Sequence, residues 1–179
     1  MSEEEHQRLI EKKLEKKEAE LMKGLALIRQ TVYDLLIDEK GYSRSDIEFD
    51  KEFDLELDGK TFVTAVDYII RLDNRRLIAV KCSPGSLESR ERHLIAFARI
   101  VDSCRIPYAV LTEGSYARML DTLTGGLISE GPDSIPDRSM AVELLKKAEF
   151  IPYPLDRLER EKRILLAFEV IKCTEELLE

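Results

Sequence analysis

Asp67 and Lys81 are the two residues whose types and spacing could do chemistry. Asp67 lies in the apolar run Val63-Thr-Ala-Val-Asp-Tyr-Ile-Ile70, and Lys81 in Leu77-Ile-Ala-Val-Lys-Cys82. A turn centred near Asn74 would set the carboxylate almost opposite the amine. Hydrolysis of a phosphodiester needs a hard cation such as Mg2+ or Mn2+ on oxygen ligands, and a lysine that stabilises the developing charge. A lysine flanked by Val80 on an apolar strand is costly to bury unless it is paired. The same spacing suits a plain cross-strand salt bridge between Asp67 and Lys81, and spacing alone leaves both readings open.

For the two side chains to meet, the segments that carry them must be neighbouring strands. From Ile47 to Leu57 apolar and charged residues alternate, which is the period of a half-buried strand, and Asp58-Gly59 is a good hairpin turn. Residues 62–72 and 77–82 predict two more strands, joined at Asp73-Asn74-Arg75 and ended by Ser83-Pro84-Gly85. Ser86 or Ser89 can cap the following helix, whose apolar face holds Leu94, Ile95, Phe97, Ala98 and Val101. Residues 107–112 read as a buried strand, so the order strand–helix–strand predicts a right-handed parallel crossover. A short helix over 116–122, an edge strand over 124–128 and a loop over 131–138 follow. Helices over 139–149 and 156–178 complete the chain, the second opened by Asp156 with Glu159 three residues on.

At the N-terminus, residues 3–23 hold seven acids and six bases, the composition of a solvated helix. Leu14, Leu21, Leu25, Ile28, Val32 and Leu35 recur at helical spacings, which carries that helix to about Asp38. This divides the chain into a charged arm (1–24), a core (25–130) and a C-terminal part (131–179) whose helices pack on the core. The terminal helices could also serve a homodimer.

The length of 179 residues is enough to bury a core, and no apolar run approaches a membrane span. Cys82, Cys104 and Cys173 are odd in number and far apart, which favours reduced thiols and a cytoplasmic setting. The net charge is −8, with seven acids against one lysine between Asp46 and Asp58. A tight non-specific DNA binder carries the opposite sign, so DNA is at most a weak partner. Bases cluster at Arg71, Arg75 and Arg76 and at Arg90, Arg92 and Arg99, where a DNA path would run.

Few alternatives to the Asp67–Lys81 pair exist. The chain has two histidines, His6 and His93, so no Ser–His–Asp set is readable, and Thr124-Gly125-Gly126 lacks the lysine of a phosphate loop. His93 and Phe97 are four apart on one helix face, either a substrate-facing pair or a core-edge contact. Arg99 on the same helix is a candidate to face substrate, and Cys82 should point away from Lys81 into the core.

In its order of segments the chain resembles the N-terminal nuclease domain of type I restriction enzyme R subunits, a branch of the PD-(D/E)XK superfamily. The resemblance runs through Ile28-Arg29-Gln30, Gly41-Tyr42, Val66-Asp67-Tyr68-Ile69-Ile70 and Ile78-Ala79-Val80-Lys81. It continues in His93-Leu-Ile-Ala-Phe97-Ala-Arg99, Ile106-Pro107-Tyr108 and Leu111-Thr112-Glu113-Gly114. It implies an α/β, restriction-endonuclease-like fold: a central mixed β-sheet flanked by helices, with helical extensions at both ends. It also implies metal-dependent DNA cleavage as the ancestral activity, Asp67 matching the metal-binding aspartate and Lys81 the motif lysine.

The chain departs from that pattern at Ala79, which stands where the motif has an acid. Gly24 to Ile28 holds no counterpart of the family's helix glutamate, and His93 and Phe97 replace a glutamine and a tyrosine. Some relatives move the second carboxylate to the neighbouring helix, which makes Glu88 or Glu91 a candidate. Asp50 and Glu52 on the preceding strand could flank the site. An active site would then hold Mg2+ or Mn2+ on Asp67, Glu91 and the carbonyl near Val80, with Lys81 stabilising charge. The competing expectation is a catalytically inactive relative kept as a binding or assembly module. Such a chain has no room for the helicase motor of an R subunit.

Overall fold

Leu25, Ile28 and Val32 draw the N-terminal segment onto the body of the protein as one helix, α1 (Glu3–Asp34), closed by a wider π turn over Leu35–Glu39. The computed structural model describes residues 3–176, with side chains through residue 168. The Cys173 side chain and the helix end expected at 178 lie outside the described residues. Gly41, at φ +75, lets the chain turn after α1, and the Tyr42 hydroxyl donates to the Pro136 carbonyl at 2.8 Å.

A short 3-10 turn (Arg44–Asp46) then leads into β1 (Ile47–Phe49), β2 (Glu52–Leu57), β3 (Lys60–Ala65), β4 (Tyr68–Leu72) and β5 (Arg75–Cys82). Helix α2 (Glu88–Ile100) follows, then β6 (Tyr108–Thr112), β7 (Ala117–Asp121), β8 (Leu127–Gly131), α3 (Arg138–Lys147) and α4 (Leu155–Glu176). Six strands make one mixed sheet in the order β1-β4-β5-β6-β7-β8, and β2 and β3 form a separate two-stranded ribbon. Only β5 and β6 run parallel, joined through α2 as the apolar runs predict. This is an α/β fold with a central mixed sheet and helical ends.

Both faces of β5 are covered along its middle, which is why Leu77–Val80 is continuously apolar and buried. Ala79 packs with Leu94, Phe97 and Leu111 on the α2–α4 side. Ile78, Val80 and Cys82 pack with Val32, Leu36 and Ala141 on the α1–α3 side.

Several sequence expectations are corrected. The strand read over 47–57 is two strands, because Asp50 takes φ +48 and turns the chain from the main sheet into the ribbon. The strand read over 62–72 breaks likewise at Val66 and Asp67, where the chain returns. Residues 117–121 form strand β7, not a helix. They complete the open edge of β6, with Met119 and Leu120 buried in opposite cores. The last strand starts at Leu127, later than expected, and runs to Gly131. Neither Ser86 nor Ser89 caps α2, since Leu87 holds the cap position without a side-chain bond. Asp137 caps α3, accepting from the Met140 N–H. Among the described residues no helix is long and apolar enough to cross a membrane.

Candidate functional site

The chain passes from ribbon to main sheet at Asp67, beside the C-terminal end of β5. The last pair of the β4–β5 ladder is Tyr68 with Val80, so Asp67 and Lys81 stand at the next step, where the two strands part. Hairpin geometry delivers this: Asp73 (φ 48) and Asn74 (φ 60) make the tight turn that fixes the register.

The Asp67 carboxylate is already engaged from two sides. Its Oδ2 accepts the Cys82 backbone N–H at 2.7 Å, and its Oδ1 lies 3.0 Å from Arg29 Nε, an ion pair without the alignment of a hydrogen bond. Arg29 comes from α1 and also pairs through Nη2 with Asp50 at the kink between β1 and β2. Partial burial works against the guanidinium's charge, but Asp67 and Asp50 outweigh it and hold the Arg29 pKa above its ordinary value. Tyr68 anchors the helix by donating to the Arg29 carbonyl at 2.7 Å. Burial, with Cys82 second, pushes the Tyr68 hydroxyl up to about 12. Burial, helped by Asp67, also raises the Cys82 thiol, so this cysteine is a core residue and no nucleophile.

The other candidates disperse around this centre. Ala79 is fully buried against α2 and brings no ligand. Val80 is buried on the opposite, α1-facing side. Lys81 is half-buried and sits in register with Leu111 and, one strand further, Arg118. Glu91 is held by Arg118, Nε to Oε1 at 2.6 Å, and Glu88 and Glu130 close on the same guanidinium. His93 is buried with its ring 5.2 Å from that of Phe168. Phe97 is buried edge-on to Phe53, 5.5 Å between centroids.

Arg99 is committed as well. Its Nε donates to the Thr122 carbonyl at 2.7 Å, Nη1 meets Glu161 at 3.0 Å, and the guanidinium covers the Tyr153 ring. Arg92 holds the same Glu161 in a two-pronged contact at 2.7 and 2.8 Å. Burial alone would raise the Glu161 carboxyl, but the two arginines bring it below the ordinary glutamate range. Arg76 is likewise taken by Glu48 and Asp102. Arg157 and Arg160, which have no ion-pair partner among the described residues, line an open groove of about 740 Å3 between α2 and α4.

As paired here, these side chains present no ready set of oxygens to a divalent cation. Asp67 is met by a guanidinium and an amide, Ala79 has no side-chain oxygen to give, and Glu91 is turned to Arg118. Among the described residues no three His, Cys, Asp or Glu side chains gather where they could hold a metal ion. Sequence reasoning missed Arg29 as a partner of Asp67. Its one signal was a cation flanking the buried stripe of α1.

A family model for the type I restriction enzyme R protein N terminus matches residues 26–136. No curated protein and no solved structure matches the chain.

Proposed function

Because the chain belongs to the family of the type I restriction enzyme R protein N terminus, we propose that it is a restriction-endonuclease-like protein that binds without cutting. Arg29 holds in it the position a catalytic metal would need. The supporting observation is the contact of Arg29 Nε with Asp67 Oδ1 at 3.0 Å, in a site where Ala79 supplies no second carboxylate. A fixed internal cation neutralises Asp67 as a metal ion would. It cannot carry an activated water or bridge to a phosphate.

The partner on this reading is DNA, held weakly, in keeping with the family and with the net charge of −8. The division into an arm (1–24), a core (25–130) and a C-terminal part (131–179) belongs to the same proposal. So does self-association through the terminal helices, which the exposed Ile10, Leu14 and Leu21 of the arm support.

A second reading keeps the ancestral hydrolysis, with Asp67 and Lys81 as catalytic residues and Glu91 and Val80 completing a Mg2+ or Mn2+ site. One observation favours it: Asp67 and Lys81 flank the same end of the β4–β5 ladder. A calorimetric Mn2+ titration separates the two. Binding without cutting predicts no Asp67-dependent Mn2+ binding up to the low-millimolar range, and no strand cleavage in wild type or Lys81→Ala. Mn2+ binding that Asp67→Asn abolishes, with cleavage that Lys81→Ala abolishes, would establish the hydrolase instead.

A further inference from the structure

Next to the Arg29–Asp67 contact, on the α1 side of the sheet edge, lies a cavity of about 330 Å3. Arg29, Gln30, Tyr33, Arg44, Phe49, Tyr68 and the Arg29-paired carboxylate Asp50 line it. Three of these are aromatic and adjoin one another. Phe49 on β1 stands directly across the ladder from Tyr68 on β4, and the Tyr33 ring lies 6.3 Å from that of Tyr68. Phe49 remains 48% exposed although its neighbours pack around the other two rings. An exposed ring at the mouth of an aromatic cavity is a surface on which a flat ligand can lie.

The polar groups around the rings narrow the ligand further. Arg29 is spent on Asp50 and Asp67. Arg44, on the 3-10 turn, is exposed and has no acidic partner among the described residues. The Gln30 amide donates to Asp34 at 2.8 Å, which leaves its carbonyl oxygen as an acceptor. The cavity therefore offers a stacking platform, acceptors on Gln30 and on Asp50, whose charge Arg29 offsets, and one uncommitted cation, Arg44. The exposed carboxylates of Glu52, Asp54 and Glu56 on the neighbouring ribbon repel a polyanion laid across the whole face.

We propose that this cavity binds a nucleobase carrying a phosphate, the base stacked on Phe49 beside Tyr33 and the phosphate on Arg44. Its volume suits one nucleotide and no duplex. The ligand is either a free mononucleotide or one residue of an unpaired strand. The inference rests on the reading of a site that holds nucleic acid without cutting it.

The test is calorimetry with AMP and fluorescence anisotropy with a fluorescein-labelled oligothymidylate, without divalent metal. Wild type should bind at least one of them, AMP marking a free nucleotide and oligothymidylate alone marking an unpaired strand. Phe49→Ala should weaken binding on the order of tenfold, the usual loss for a stacked base. Phe49→Trp should retain binding and show ligand-dependent quenching. Arg44→Ala should weaken binding and flatten its salt dependence. Ribose 5-phosphate, which has no base, should compete poorly. Unchanged thermal melts establish that each variant is folded. The inference is overturned if neither probe binds, if folded Phe49→Ala and Arg44→Ala bind like wild type, or if ribose 5-phosphate competes as well as AMP. In a separate incubation with Mn2+, shortening of the labelled strand would overturn the non-cutting reading alone, because strand length and Phe49-dependent affinity are measured separately.

Discussion

Arg29 and Asp67 are joined across two elements, the guanidinium of α1 lying 3.0 Å from the carboxylate at the entrance to β4. The contact ties the N-terminal helix to the point where ribbon and main sheet separate. It also gives Asp67, 13% exposed in its side chain, a compensating charge from outside the sheet.

Removing that charge should destabilise the fold modestly. In Arg29→Ala the Asp67 carboxylate keeps the Cys82 N–H but loses the guanidinium. The expected cost is about 1–2 kcal/mol, kept low because Arg29 is itself partly solvated. Urea unfolding followed by circular dichroism measures it, and an unchanged midpoint would mean the pair contributes nothing.

A larger loss is expected at Glu161. Glu161→Gln leaves Arg92 and Arg99 facing a neutral amide in a buried setting, at a cost of about 3 kcal/mol at neutral pH. The folded-state pKa is depressed, so the stabilisation is present above the unfolded glutamate value and lost as pH falls through the lower folded one. Wild type should therefore lose stability below about pH 4.5 more steeply than Glu161→Gln. Parallel slopes between pH 6 and pH 3, taken as round experimental limits on the order of the carboxylate range, would remove Glu161 from the account.

Phe97 contributes through packing alone. Phe97→Ala opens a cavity between α2 and Phe53 and should cost about 3–5 kcal/mol, read from the urea midpoint. A loss below about 1 kcal/mol would mean that the surrounding core collapses onto the vacated space.

The β4–β5 turn should respond to glycine in the opposite sense. Asn74 holds φ 60, so Asn74→Gly should raise stability by a few tenths of a kcal/mol and Asn74→Ala lower it by about 1. Thermal melts of the two variants should move to either side of wild type.

Much of this arrangement was legible in the residues. The apolar runs of β5 and β6 and the helix between them give the parallel crossover, because a strand covered on both faces must be apolar throughout. The kinks were not legible. Alternation keeps its period through Asp50, so one strand and two strands read alike. Residues 117–121 fit either a helix or a strand locally, and the open edge of β6 decides for the strand. The Arg29–Asp50–Asp67 cluster joins α1 to both sides of the ribbon, and no local spacing carries that signal. Phe49 was legible as a strand residue, but its exposure follows from β1 lying at the sheet edge.

That sheet ends very differently on its two sides. β1 offers only three residues at one edge, too few to template another chain. At the other edge β8 presents Leu127 and Ile128 half-exposed, and Glu130 is the one charged residue within the strand. Resistance to edge-to-edge aggregation there depends on a single carboxylate, itself drawn inward by Arg118. Of the main sheet's two edges, β8 is thus the one open to pairing with another chain, on the far side of the sheet from the Asp67 site.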